Sequence, residues 1–257
     1  MPYLGDTVKE GIMAQSYPLF SFKTIDSTQS EIKRMLRVYG TLDDFTTVVA
    51  EGQESGRGRG VSVWQDEPGK CALMSVYVNW EHPVQESFDV NRWVCHCLGA
   101  LLPSVVEFKW PNDLMVGSRK LAGLLIENHW AGGVIRSSTI GLGMNLKPLE
   151  HGPRRAISLE EIGMDITPEE VVSEVVGSLR SQKPAIGNRA LLERRYTKLL
   201  WGKEDDRIYE DPCGEPIEGR VVGVNDSGQL LLELAQTKNV QAYDLDAIKW
   251  KNPLLDE

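Results

Sequence analysis

The sequence predicts an α+β protein: a mixed or antiparallel sheet with helices on one side, followed by a small C-terminal β-barrel. Three observations carry this. Apolar residues recur at helical spacing in several segments, and short apolar runs rich in Val, Ile and Leu lie between them. Successive strand-like runs are joined by glycine turns, which favours hairpins over a repeating βαβ layout. After Trp201 the texture changes to short strands with polar turns, which places a boundary near residue 203 and divides the chain into units 1–203 and 204–257.

Residues 1–18 lack a sustained period and contain Gly5, Gly11 and Pro18, the pattern of an irregular arm or an added strand. Asp26 or Ser27 can cap a helix whose apolar side is Ile32, Met35 and Leu36 and which ends near Gly40. Residues 46–51 read as a strand, followed by a glycine and arginine segment and a second strand at 72–78. Residues 89–102 put Val90, Trp93, Val94, Cys97, Leu98 and Leu101 on one broad helical face, and Pro103 stops that helix. Strands follow at 105–110, 121–127 and 134–142, with Gly117 and then Gly132-Gly133 in the turns between them. Helices at 168–181 and 188–201 lead into C-terminal strands at 207–210, 217–224, 229–233, 240–244 and 248–251, and Asn225-Asp226-Ser227-Gly228 is a hairpin turn.

With 41% hydrophobic and 25% charged residues, a chain of 257 residues fills a core without disulfides or metals. It opens on no basic stretch leading into an apolar run, and no window reaches the roughly 18 apolar residues of a membrane span, so a cytoplasmic protein with no membrane partner is expected. The net charge of −9 repels phosphate backbones, so any anion site must be a local cluster of basic groups. Cys71, Cys95, Cys97 and Cys213 show no C-x-x-C spacing and are read as reduced; Cys95, His96 and Cys97 point apart on a helix and are expected to hold no metal.

Four segments carry candidate chemistry. Gln53 to Gly60 alternates glycines with Arg57 and Arg59 after a strand, so backbone N–H groups and two guanidinium forks can converge on phosphate or carboxylate oxygens. It matches neither a Walker loop nor a strand-to-helix dinucleotide fingerprint. Lys109-Trp110-Pro111-Asn112-Asp113 places a cation, an amide and a carboxylate in one restricted turn. Lys120 opens an apolar strand, and Gly141-Leu142-Gly143-Met144-Asn145 ends another with room for a flat ligand. Each also has a plain structural reading when taken alone: a basic surface turn, an Asx turn, an edge lysine and a bulge.

Together, in order and spacing, these segments resemble the biotin protein ligase family from about Asp26 to the C-terminus. Gly56 to Arg59 followed by Trp64, Lys109 to Asp113, Lys120 to Gly123 and Gly141 to Asn145 carry the match. The resemblance implies a catalytic domain like those of class II synthetases, which activates biotin with MgATP to biotinyl-5′-adenylate and passes biotin to a lysine of a biotin carboxyl carrier protein domain. It implies Arg57, Arg59, Lys120 and Asp113 as catalytic residues and Mg²⁺ on the phosphates. Ser27, Thr28 and Gln53 would bind the ureido ring, with Gly56, Arg57, Trp64, Lys120 and Gly123 completing the biotin site. Arg59, Lys109, Asn112, Gly143 and Asn145 would serve ATP.

A homodimer is also implied. A first strand near Leu19 leaves too few residues for the DNA-binding helix-turn-helix domain of some relatives, so no DNA partner is expected. One departure bears on the loop. The glycine that usually lies two residues after the second arginine has moved forward to Gly60, and a basic residue is missing. Two other readings share these features: a lipoate ligase, and a sensor that binds biotin or its adenylate without efficient transfer.

Overall fold

The computed structural model describes residues 17–60, 62–153 and 155–251, so nearly all of the N-terminal arm expected at 1–18 lies outside the described residues. The first sheet is built from β1 (Leu19–Ile25), β2 (Thr47–Gln53), β3 (Cys71–Val84), β4 (Val106–Lys109), β5 (Asp113–Val116), β6 (Arg119–Ala131) and β7 (Val134–Asn145). Its order is β1-β2-β3-β7-β6-β5-β4, with β1 and β2 parallel and every other pair antiparallel. The sheet is mixed because α1 (Thr28–Tyr39) is a crossover that returns the chain in the same direction, whereas the later connections are hairpins or long loops.

The residues of β3 sort the helices onto two faces. Met74, Val76 and Val78 enter the main core, where they meet α2 (Ser87–Gly99), α3 (Pro168–Ser181) and α4 (Arg189–Leu199). Tyr77, which alternates with them, joins Ile32 and Met35 of α1 and Val48 in a separate cluster. The expected one-sided helix layer is therefore formed by α2 to α4, while α1 covers part of the opposite face beside the open floor described below. Cys95 and Cys97 of α2 are core residues, and burial pushes the Cys97 thiol up to about 12.

The second sheet contains β8 (Arg207–Glu210), β9 (Pro216–Val224), β10 (Leu230–Leu234), β11 (Val240–Tyr243) and β12 (Lys249–Trp250), in the antiparallel order β11-β10-β9-β8-β12. Among the described residues β11 and β12 remain at the edges, so the expected barrel takes the form of a five-stranded sheet. Its inward residues Tyr209, Val221, Leu230 and Leu232 belong to the same continuous core as α2 and α4. The two sheets share one hydrophobic interior.

Strand β5 was not anticipated. It is four residues long, opens on a carboxylate and pairs Asp113 with Lys109 across a three-residue turn, too short a run for alternation to stand out. Among the described residues no helix is long and apolar enough to cross a membrane.

The shared core gives a stability prediction. Leu232, wholly buried in β10, should on change to Ala cost about 2–5 kcal/mol, as for other buried leucines. Urea unfolding followed by tryptophan fluorescence and by far-UV circular dichroism should show one coincident transition at a lower midpoint. A separate early transition for the C-terminal sheet would contradict the shared core.

Candidate active site

The site begins as a patch of missing side chains. Gly123 of β6 lies directly opposite Gly143 of β7, and Gly141 faces Leu125. A Cβ at Gly143 would stand 2.5 Å from Cε2 of Trp64, one at Gly123 would stand 3.2 Å from Cζ3 of Trp64 and 3.3 Å from Nζ of Lys120, and one at Gly141 would stand 2.8 Å from Oε1 of Gln29. The bare backbone thus lets the Trp64 indole, the Lys120 ammonium and the Gln29 amide approach one floor. Above it opens a cavity of about 880 Å³, bounded by the start of α1, the glycine and arginine loop, the 109–113 turn and the C-terminal sheet.

The glycine and arginine loop is a short hairpin. Gly58 donates its N–H to Ser62 O (2.9 Å), Trp64 donates to Gly56 O (2.9 Å), and Arg57 bridges Val63. Gly56 and Gly58 allow the two arms to touch, since a Cβ there would lie 2.6 Å from Trp64 O or 3.1 Å from Ser62 Cβ. The displaced glycine, Gly60, has φ of +62° at the tip, a conformation that suits glycine. Of the N–H groups expected at 53–60 to face an anion, that of Gly58 is instead spent inside the hairpin, as is that of Trp64. The loop's charge for anion binding comes from its arginines. Arg57 lies 3.6 Å from Glu127, and Arg59 reaches Asp246 of the C-terminal segment at 2.9 Å.

One end of the cavity is a neutral hydrogen-bonding group. Asp26 is held by both terminal nitrogens of Arg34, and its carboxyl lies below the usual range chiefly through that contact. Ser27 takes the N-cap position with no side-chain cap bond and lines the cavity. Gln53 accepts from Thr28 N (2.9 Å) and Oγ1 (3.3 Å), Ser75 Oγ lies 2.9 Å from Thr28 Oγ1 and donates to Gln29 Oε1 (3.0 Å), and Gln29 Nε2 donates to Glu127 (2.9 Å). Asp66, whose pKa burial raises, accepts the backbone N–H of Gln53 (3.1 Å) and fastens the loop base.

The other end is cationic and aromatic. Lys120 Nζ lies 2.6 Å from Asp113 and 5.6 Å from the centre of the Trp64 ring. Lys109 lies beside the edge-to-face pair of Trp201 and Trp250, 5.7 and 4.8 Å from their ring centres, while Arg207 stacks on Trp201 at 4.0 Å and Arg155 on Trp250 at 5.5 Å. Burial pulls the Lys109 pKa down; Asp113 opposes this, and the repulsion of Lys120, Arg155 and Arg207 adds to it. A bound polyanion would relieve that repulsion. Among the described residues, the buried Nε1 of Trp64 and Oη of Tyr209 have no hydrogen-bond partner.

Of the residues singled out from sequence, Ser27, Thr28, Gln53, Arg57, Arg59, Trp64, Lys109, Asn112, Asp113, Lys120, Gly123 and Gly143 line this cavity. Gly56 and Asn145 do not. Gly56 is part of the hairpin arm, and buried Asn145 donates to the carbonyls of Lys120 (3.3 Å) and Ile157 (3.1 Å), which holds the start of β6 in place. Asn112 also spends its amide on structure, donating to Leu124 O (2.8 Å) while its own carbonyl accepts from Leu124 N (2.8 Å). Sequence reasoning missed Gln29, Ser75, Glu127, Trp201, Tyr209, Asp246 and Trp250. Only Ser75 left a usable signal, as a hydroxyl inside an otherwise apolar strand.

Residues 21–145 match the biotin/lipoate A/B protein ligase family. The chain is 30% identical to the bifunctional ligase/repressor BirA of Salmonella typhimurium, over 81% of this chain and 67% of the relative. It is 26% identical to the biotin--[acetyl-CoA-carboxylase] ligase of Paracoccus denitrificans, over 80% of this chain and 90% of that one. In fold it is similar to the Aquifex aeolicus biotin protein ligase solved with biotin and ATP, with a TM-score of 0.68, 21% identity and coverage of 91% and 99% of the two chains. A Leishmania major biotin protein ligase solved with biotinyl-5-AMP gives a TM-score of 0.56, with 21% identity and coverage of 88% and 98%. On these grounds the chain belongs to the biotin/lipoate A/B protein ligase family.

Proposed function

We propose that this chain is an ATP-dependent biotin ligase that forms biotinyl-5′-adenylate and transfers biotin to a lysine of a biotin carboxyl carrier protein domain in the cytoplasm. The observation that carries this reading is the single cavity with a neutral hydrogen-bonding end, a cationic end, and Lys120 and Trp64 between them. The ureido group of biotin offers two N–H donors and a carbonyl, complementary to Ser27, Thr28 and Gln53. Its aliphatic part lies against Trp64 above the glycine floor.

The chemistry brings an anion to an anion. A carboxylate oxygen of biotin attacks the α-phosphorus of ATP, the bond from that phosphorus to the bridging oxygen breaks, and pyrophosphate departs. Lys120, Arg57 and Arg59 offset the charge that gathers on the phosphate oxygens. The carrier amine then attacks the biotinyl carbonyl and AMP leaves, with Asp113, 2.6 Å from Lys120, orienting the amine. Lys109 and its two indoles take the polyphosphate end, and Asn112, Gly143 and Asn145 shape the nucleotide end, Asn145 through the backbone of Lys120.

Magnesium would enter with the nucleotide as MgATP and would help Lys120, Arg57 and Arg59 offset charge on the phosphate oxygens. Arg57 lies 3.6 Å from the half-buried Glu127 and Arg59 is paired with the exposed Asp246, weak contacts that a ligand anion can replace. The loop thereby closes over the adenylate and keeps water from it.

Incubation with MgATP and a carrier domain should add one biotin to the carrier by intact mass, and nothing when lipoate replaces biotin. Lys120→Ala should slow adenylate formation by about 10²–10³-fold, the scale of losing one oxyanion-stabilising donor. Preferential lipoate labelling, or undiminished adenylation in the variant, would overturn the reading. Lys109→Ala and Trp250→Ala should raise KM for ATP by about tenfold while calorimetric biotin affinity stays constant. A matched loss of biotin affinity would place the cationic and aromatic cage elsewhere in the reaction.

A further inference from the structure

Strands β4 and β5 have only four residues each, and within the first sheet the turn at their tip is tied to β6 through Asn112 and Asp113, while the Trp110 side chain is held from outside that sheet. That turn carries Asn112 and Asp113. We propose that the hairpin turn at Asn225 to Gly228 of the C-terminal sheet is a positioning element for the reaction, which acts through Trp110 on the turn bearing Asn112 and Asp113. The proposal rests on the ligase reading for its catalytic consequence.

The Arg92 side chain is wholly buried in α2, a costly place for a charge, and among the described residues its two terminal nitrogens find acceptors while Nε has none. One terminal nitrogen donates to Asp89 (2.8 Å), and the other donates to the carbonyls of Val224 (2.9 Å) and Asn225 (3.0 Å). The guanidinium also stacks on Phe88 at 5.2 Å. A buried cation thus grips the backbone of the C-terminal hairpin just before its turn. Within the turn, Gly228 N donates to Asn225 O (3.1 Å), and Gly228 has φ of +83°, a conformation that suits glycine, with a Cβ there standing a tight 3.2 Å from the Phe88 side chain. Side chains of the helix thus pack directly on the hairpin backbone.

From that fixed point the hairpin reaches into the site. Gly228 O accepts the indole N–H of Trp110 at 2.9 Å, and Trp110 is almost fully buried. From the same helix, Asn91 donates weakly to Pro111 O at 3.4 Å. The next two residues are Asn112, in reciprocal hydrogen bonds with Leu124, and Asp113, on Lys120. The indole N–H is therefore the link between a hairpin gripped by Arg92 and the carboxylate that meets Lys120. Its acceptor, Gly228, lies 118 residues along the chain, in the turn between β9 and β10.

Trp110→Phe tests this link, because it removes one N–H and keeps most of the ring's bulk; Gly228→Ala disturbs the hairpin from its other side. Both are made in the full chain and compared by hydrogen exchange without substrates, biotin calorimetry and biotin-dependent ATP–pyrophosphate exchange. The expected result is faster hydrogen exchange confined to 109–114 and Leu124, biotin affinity held within about twofold, and kcat per biotin site lowered by about tenfold or more. A merely structural role would lower the number of biotin sites and leave kcat per site intact. Unchanged protection of 109–114 in both variants, or loosened protection with unchanged kcat, overturns the proposal. If the unaltered protein shows no biotin-dependent exchange, the ligase reading fails, and the protection result alone then upholds or overturns the positioning of the turn.

Discussion

The site depends on a contact that only a bare backbone permits. Where Gly123 and Gly143 face each other across β6 and β7, an indole lies flat on the peptide planes, and the ammonium of Lys120 comes to the same spot. Any side chain at Gly143 would push Trp64 away by more than van der Waals contact allows. The loop that carries Trp64 would lift with it, because Trp64 closes the loop's hairpin through its bond to Gly56. Loop position, lysine position and cavity floor are one packing problem with one solution.

The second requirement is electrostatic. A chain with a net charge of −9 can hold a polyanion only by gathering cations locally and restraining them until the ligand arrives. Lys120 leans on Asp113, Arg57 lies near Glu127, Arg59 is on Asp246, and Lys109 rests beside a packed pair of indoles with a depressed pKa. Two of these restraints, Asp246 and Trp250, come from the C-terminal segment, as does the Gly228 carbonyl that holds Trp110. The common core of the two sheets makes such cross-links dependable, since neither sheet can shift without opening buried contacts.

Much of this was legible in the sequence, for reasons that also explain what was not. Helical periods located the four helices, and short apolar runs bounded by turns located most strands, since β3 and β7 are buried along most of their length. Strand β5 escaped because four residues beginning with Asp113 show too little alternation. The glycines of the 56–60 segment pointed correctly to close approach, yet the partner is the other arm of the hairpin, because the N–H groups of Gly58 and Trp64 find acceptors there first. Asn145 looked like a ligand group from its place at a strand end, but its amide is consumed by two backbone carbonyls. Trp201, Tyr209, Asp246 and Trp250 left no local signal, since their role arises from packing across long sequence separations.

The account makes the glycine floor the condition for ligand binding, and Gly143→Ala tests it most directly, with biotin affinity measured by calorimetry and the fold by thermal unfolding. The predicted result is a protein that unfolds cooperatively near the original temperature but binds biotin about tenfold or more weakly, a loss of about 1.4 kcal/mol or more, as Trp64 is displaced. Unchanged biotin affinity in a folded Gly143→Ala protein would contradict it.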